Sequence, residues 1–166
     1  KPGIGTFLLY LVVITGTSIW LARRAIQRKR DLAGFHDRKY RLTGYANLIA
    51  GSLVLAIGLK IGNTLLSGFS LVGIAIGIGM LRQARTLPTA RNWWLKEHYG
   101  AMLGNGVATH VAFLGIGMRS TIASFDVAWL QLVPWFLPLA VALLAGVYLD
   151  RRYGARPVRP VPAITA

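Results

Sequence analysis

The chain has 166 residues, 54% of them hydrophobic and only 14% charged, and it carries a formal charge of +14. A soluble domain carries about 25% charged residues. A chain with 19 basic residues, 5 acidic ones and a mean hydropathy of +0.51 is therefore poorly described as a soluble enzyme, a disordered tail or a nucleic-acid-binding module. It reads as an all-α polytopic membrane helix bundle whose charges sit in loops.

Crossing a hydrocarbon core of roughly 30 Å takes about 20 apolar residues. Residues 4–22, 42–59, 61–81, 99–118 and 127–149 contain no Asp, Glu, Lys or Arg, which predicts five spans, the last over about 130–149. The run Gly58-Leu59-Lys60-Ile61-Gly62-Asn63 reads as a tight turn that separates the second span from the third. One unbroken helix over 42–81 would exceed one bilayer.

The first span is followed by Arg23, Arg24, Arg28, Lys29, Arg30, Arg38, Lys39 and Arg41. The loop after the third span carries Arg82, Arg85, Arg91 and Lys96, and the end of the chain carries Arg151, Arg152, Arg156 and Arg159. With five spans these sixteen residues share one side, and only Lys1, Lys60 and Arg119 fall on the other. The positive-inside rule makes the crowded side cytoplasmic. The expected topology is N-terminus outside and C-terminus cytoplasmic, in a bacterial inner membrane. The basic residues also attract anionic headgroups, at about 1 kcal/mol each near the surface.

Within the spans, Gly73 and Gly77 form a small-xxx-small pair, and Gly100, Gly104, Ala108 and Ala112 recur every four residues. Such spacing lets helix backbones approach closely, within the chain or against partner subunits or a second copy. Trp20, Trp93, Trp94, Trp129 and Trp135 fall near span ends, as aromatic belts do. Pro134 and Pro138 are expected in the first turns of the last span, where a missing N–H costs little. Residues 120–131 are expected to lie in the outer interface plane. Residues 1–155 form the bundle, and 156–166 form a Pro-rich basic cytoplasmic tail, extended by itself.

Polar groups at bilayer depth are costly and mark candidate sites. The fourth span is the richest, with Glu97 and His98 at its start and Asn105 and His110 in its middle. The second span offers Asn47. The bland reading of such groups is an interhelical hydrogen bond worth about 0.6 kcal/mol. Two haems held by paired histidines would need four His ligands, and this chain has His36, His98 and His110. His98 and His110 stand about 18 Å apart along one helix and about 120° apart around it, so they cannot share one haem or one metal. A single haem would need His36 beside His98, or a ligand from another chain. Pairing His36-Asp37 with Glu97-His98 would offer a metal site, but without a metalloprotease spacing. No Ser-His-Asp arrangement or phosphate loop is present, and no catalytic residue or metal ligand is assigned. With no cysteine, disulfides and thiolate centres are excluded.

The stretch Trp94-Leu95-Lys96-Glu97-His98-Tyr99-Gly100-Ala101-Met102-Leu103-Gly104, continuing through Ala108, His110, Ala112 and Phe113, resembles a signature in an uncharacterised bacterial family of polytopic membrane proteins. There a His, a Met four residues later and an Ala-Phe pair lie on one membrane helix. The resemblance covers about twenty residues well and most of the chain loosely. It carries over His98, Met102, Ala112 and Phe113, and departs at His110, where many members have a smaller polar residue. It implies two further helices upstream, an even number that agrees with the expected N-out placement. It brings no established activity.

Three functions follow from the residues. The first is an accessory or structural subunit that packs against a larger membrane complex. The second is a membrane redox protein that binds haem or quinone near His98 or His110. The third is a small transporter or channel component, disfavoured by the lack of an internal repeat.

Overall fold

The computed structural model describes residues 2–87, 90, 92–117 and 128–154. These residues are helical throughout apart from short connections, with no strand among them. The elements are α1 (Pro2–Gln27), a one-turn α2 (Leu32–Phe35), α3 (Arg38–Lys60), α4 (Thr64–Arg85), α5 (Trp93–Val111) and α6 (Val133–Tyr153). A π-helical segment, Ala112–Gly117, continues α5, and a 3-10 turn, Ala128–Gln131, precedes α6. Without water, every backbone polar group must be satisfied within its own segment, which favours this all-helical solution.

The expected turn separates α3 from α4. Gly62 takes the left-handed conformation (φ 63°), which only glycine adopts at no steric cost. The Asn63 side chain then caps α4 by accepting a hydrogen bond from the Leu66 N–H at 3.1 Å. Asp37 caps α3 in the same way through the Tyr40 N–H at 3.0 Å.

Four helices are long and apolar enough to cross a membrane: α1, α3 with its leading turn, α4 and α6. The sequence suggested five. The difference is α5, where Lys96, Glu97, His98, Asn105, Thr109 and His110 dilute the apolar residues. Pro138 also departs from expectation. It lies inside α6, one turn past Pro134, so it leaves the Pro134 carbonyl without its helical donor.

Each helix packs against the next in the order α4–α3–α1–α5–α6, and neighbours in this series run antiparallel. The C-terminal ends of α1, α4 and α6 therefore gather with the N-terminal ends of α3 and α5. Cross-links confirm the grouping: Arg24 to Asp37 at 2.8 Å, Tyr40 to Gln83 at 2.9 Å, His98 to the Ala22 carbonyl at 3.0 Å, and Lys96 to Asp150 at 2.9 Å. This is the basic end of the bundle. One apolar cluster lies here, around Phe35, Tyr40, Met80 and Trp93. A second lies at the opposite end, around Phe7, Tyr10, Leu66 and Phe69.

The series does not close evenly. At the end away from the basic residues, α6 reaches α4 through Phe136 and Trp135, whose ring centroids lie 5.5 and 6.4 Å from that of Phe69. Gly68 makes this possible, since a Cβ there would sit 2.6 Å from the Phe136 ring. Toward the basic end α4 and α6 diverge, leaving a groove floored by α1 and α5.

The expected small-residue seams resolve into specific contacts. Gly77 lies against α3, where a Cβ would meet the Gly44 carbonyl oxygen at 2.7 Å. Gly73 admits the Tyr10 hydroxyl, which accepts from the Gly73 N–H at 2.8 Å and lies 3.1 Å from the Phe69 carbonyl oxygen. A side-chain hydroxyl is thereby inserted into the hydrogen-bond ladder of α4, one of the recognised causes of helix bending.

Candidate functional site

The polar residues of α5 point in three directions, as a helix that carries them at unrelated spacings requires. His98 turns to α1, its Nδ1 3.0 Å from the Ala22 carbonyl oxygen. His110 lies twelve residues on and is exposed. Its Nδ1 is 2.7 Å from the Gly106 carbonyl oxygen. Asn105 keeps its Oδ1 buried without a hydrogen-bond partner, while its carbonyl accepts from the Thr109 hydroxyl at 3.1 Å. Gly104 packs on α1, where a Cβ would meet Ser18 Oγ at 2.8 Å. Ala108 lines a small cavity together with Ser18 and Leu11. Gly100 has open space where a Cβ would stand. Met102, Ala112 and Phe113 are exposed.

His36 is the most enclosed of the histidines, at 4% exposure. Its ring sits among Phe35, Tyr40 and Trp93, at centroid distances of 4.9, 4.8 and 5.8 Å. The loop around it is held by Arg24, which donates to the Gly34 and Phe35 carbonyls at 2.5 and 3.2 Å and pairs with Asp37. Nδ1 of His36 is 3.0 Å from the Leu32 carbonyl oxygen, and Nε2 is buried without a hydrogen-bond partner. Burial lowers its pKa, only partly offset by the Leu32 carbonyl and the nearby Gln83 side chain, so the neutral ring is favoured. The three histidines thus have three separate settings. Among the described residues, no group of three or more His, Cys, Asp or Glu could hold a metal ion.

What the structure does assemble at the basic end is a cluster drawn from four elements: Tyr40 on α3, Gln83 on α4, Glu97 on α5 and Asp150 on α6. All four border the groove between α4 and α6, which encloses about 500 Å³. The Tyr40 hydroxyl donates to Gln83 Oε1 at 2.9 Å. Lys96 pairs with Asp150, and the Tyr99 hydroxyl donates to the other oxygen of that carboxylate. Glu97 has no ion pair among the described residues, and the Gln83 side chain is its hydrogen-bonding neighbour. Burial raises its pKa, with the neighbouring Gln83 and Lys96 acting in the opposite direction. A carboxyl that holds its proton is a hydrogen-bond donor.

Of this cluster the sequence flagged only Glu97. Gln83, Tyr40 and Asp150 stand among basic residues and looked like ordinary loop polarity, and only the antiparallel packing brings them together. Tyr40 and Gln83 are 43 positions apart. No local spacing announces such a pair. The expected basic tail and most of the expected interfacial segment lie outside the described residues; within the latter, Trp129 is 67% exposed.

A second concavity runs along the opposite side of α6, between α5 and α6. It encloses about 430 Å³ and is almost wholly apolar; Met102, Gly106, His110, Pro138 and Val141 are among its lining residues. Scanned against protein families, curated proteins and solved structures, the chain matches none of them.

Proposed function

We propose that this protein is a multi-pass subunit of a membrane complex, and that it packs along its α5–α6 face against a membrane helix of a neighbouring subunit. The observation that carries the reading is His110. Its imidazole is exposed in the last turn of α5, just before the π-helical segment, within an otherwise apolar groove, and its only hydrogen bond among the described residues is to the Gly106 carbonyl. A polar ring facing hydrocarbon is costly, and a hydrogen-bonding side chain on a partner helix would relieve that cost. Gly106 supports the same reading, since nothing lies within 4 Å of where its Cβ would stand. A glycine that no neighbour within the chain requires leaves room for a closely approaching backbone.

In this reading α5 is a fifth crossing. It lies between α1 and α6, both long and apolar enough to span, and the π-helical segment extends it to Gly117. The basic end faces the cytoplasm and anionic headgroups, and the N-terminus lies outside. The setting is a bacterial inner membrane, in keeping with the likeness of residues 94–113 to an uncharacterised bacterial membrane-protein family.

The absence of native cysteine makes the test direct. The single substitution Val141→Cys should give a cross-link in native membranes to one defined neighbouring polypeptide, and adding His110→Leu should abolish that product. Labelling of the introduced thiol by a photoactivatable phospholipid alone, unchanged by His110→Leu, would show a lipid-facing groove and end the proposal.

A further inference from the structure

We infer that the groove between α4, α5 and α6 is a binding site for a neutral lipophile with a hydrogen-bond-accepting head, such as the carbonyl of a quinone, with that head at Glu97 and the apolar body lying along Gly79, Gly100 and Gly146.

Three observations lead there. The first is size. The groove's volume, about 500 Å³, lies within the roughly 300–1,000 Å³ typical of small-molecule pockets. A helix about 10 Å wide with a 5.4 Å pitch fills about 420 Å³ per turn. The groove therefore has room for little more than one turn of a partner helix, but ample room for a small amphipathic molecule.

The second is the shape of the walls. Nothing lies within 4 Å of the positions a Cβ would take at Gly79 and Gly100, and at Gly146 the nearest atom is Leu103 Cδ1 at 3.7 Å. These three glycines come from three helices and border one space. Nothing within the chain requires them to be small, unlike Gly77, which the α3 backbone touches.

The third is the chemistry of the basic end. Lys96 and Asp150 satisfy one another at 2.9 Å, and Tyr40 is committed to Gln83. Glu97, the other carboxyl bordering the groove, has Gln83 and Lys96 as neighbours and is in no ion pair among the described residues. Burial favours its protonated form, which offers one O–H to an acceptor. An anionic phosphate would face Glu97 and Asp150 together. A cation would have to settle among the basic residues that crowd this end of the bundle. A neutral acceptor avoids both conflicts.

The probe is decylubiquinone, titrated into the full chain in nanodiscs of zwitterionic lipid and followed by quenching of tryptophan fluorescence. Wild-type protein should show saturable binding. Glu97→Ala should weaken it about tenfold, and Glu97→Gln, which keeps a donor, should stay within about threefold of wild type. Gly146→Leu should also weaken it at least about tenfold by filling the groove. Unchanged binding in both Glu97→Ala and Gly146→Leu would overturn the inference, as would a non-saturable signal in the wild type. It would equally be overturned if tetraphenylphosphonium or phosphatidylglycerol, rather than the quinone, showed the dependence on Glu97. Because Glu97→Gln keeps a hydrogen-bond donor that Glu97→Ala lacks, a variant that misfolds at Gly146 leaves the comparison intact.

Discussion

The α3–α4 hairpin and the α5–α6 pair are built from similar residues and packed by opposite rules. In the hairpin, glycines are consumed by the chain itself: a Cβ at Gly51 would stand 2.9 Å from the Ser70 carbonyl oxygen, and one at Gly58 2.8 Å from the Ser67 nitrogen. In the α5–α6 pair, Gly100 and Gly106 border open space, and only 11% of the spanning window of α6 is buried, against 33% in α4. Apolar lipid supplies no hydrophobic force between helices, so close backbone contact is what holds a pair together. The hairpin has that contact along its length. The α6 arm is held instead by side chains, through the aromatic rings near Phe69 and the Lys96–Asp150 pair. The first region is thus a scaffold, and the second has surfaces left over for other molecules.

The sharpest way to break this contrast is on α4 itself, where Gly77 and Gly79 are two residues apart on different faces. Gly77→Ala drives a methyl group into the α3 backbone, and forcing extra volume into a packed contact costs about 1–3 kcal/mol. Gly79→Ala meets nothing and should be neutral, or stabilising by up to about 1 kcal/mol through helix propensity. Thermal unfolding in one detergent measures both. Equal effects at the two positions would refute the division into sealed and open faces.

The same contrast shows what was legible in the sequence. Charge-free segments, the Gly62–Asn63 turn and the gathering of basic residues at one end are all local patterns, and the structure has them. The use of each small residue is not local. Gly73, Gly77 and Gly79 all read as small positions on one helix, yet one admits a tyrosine hydroxyl, one meets a backbone and one faces a groove. Only the placement of α1, α3 and α6 decides among them. The burial of His36, a candidate ligand by sequence, is equally non-local: its aromatic surround comes from α2, α3 and α5, and the arginine-rich loop around it reads as solvated charge.

A smaller effect tests how the scaffold reaches α1. Tyr10→Phe removes the hydroxyl that joins the Phe69 carbonyl to the Gly73 N–H. The freed N–H can return to its own helical acceptor, so the loss should be modest, about 1 kcal/mol, and α4 should straighten. Unfolding measurements give the first. A spin-label distance across α4, between sites on either side of Gly73, gives the second; an unchanged distance would mean that the inserted hydroxyl does not bend the helix.

At the arm's basic end the anchoring pair is half-exposed, with side-chain exposures of 56% for Lys96 and 44% for Asp150. Exposed pairs contribute about 0–1 kcal/mol, so Asp150→Asn should leave global stability almost untouched. It should nevertheless loosen the attachment of α6, visible as faster hydrogen exchange near Tyr153, whose carbonyl accepts from Asn92 at 2.8 Å. Unaltered exchange would place the anchor elsewhere, at the rings around Phe69.

The smallest effect is a pH dependence set by Glu97 on the floor of the groove. In the unfolded chain its carboxyl ionises near the ordinary value of 4.5; in the fold, burial raises the pKa. Between the two values the unfolded chain has shed a proton that the folded chain still holds, so stability falls as pH rises through that window and then levels off. Glu97→Gln cannot ionise, and its melting temperature should lack this component. The difference between variant and wild type should grow from about pH 4.5 toward neutrality, with Glu97→Gln the more stable at the upper end. Parallel melting curves across that range would show that the carboxyl is already well solvated. A groove wet enough to solvate Glu97 would no longer favour the neutral acid, and the open face would lose the feature that separates it from a lipid-lined cleft.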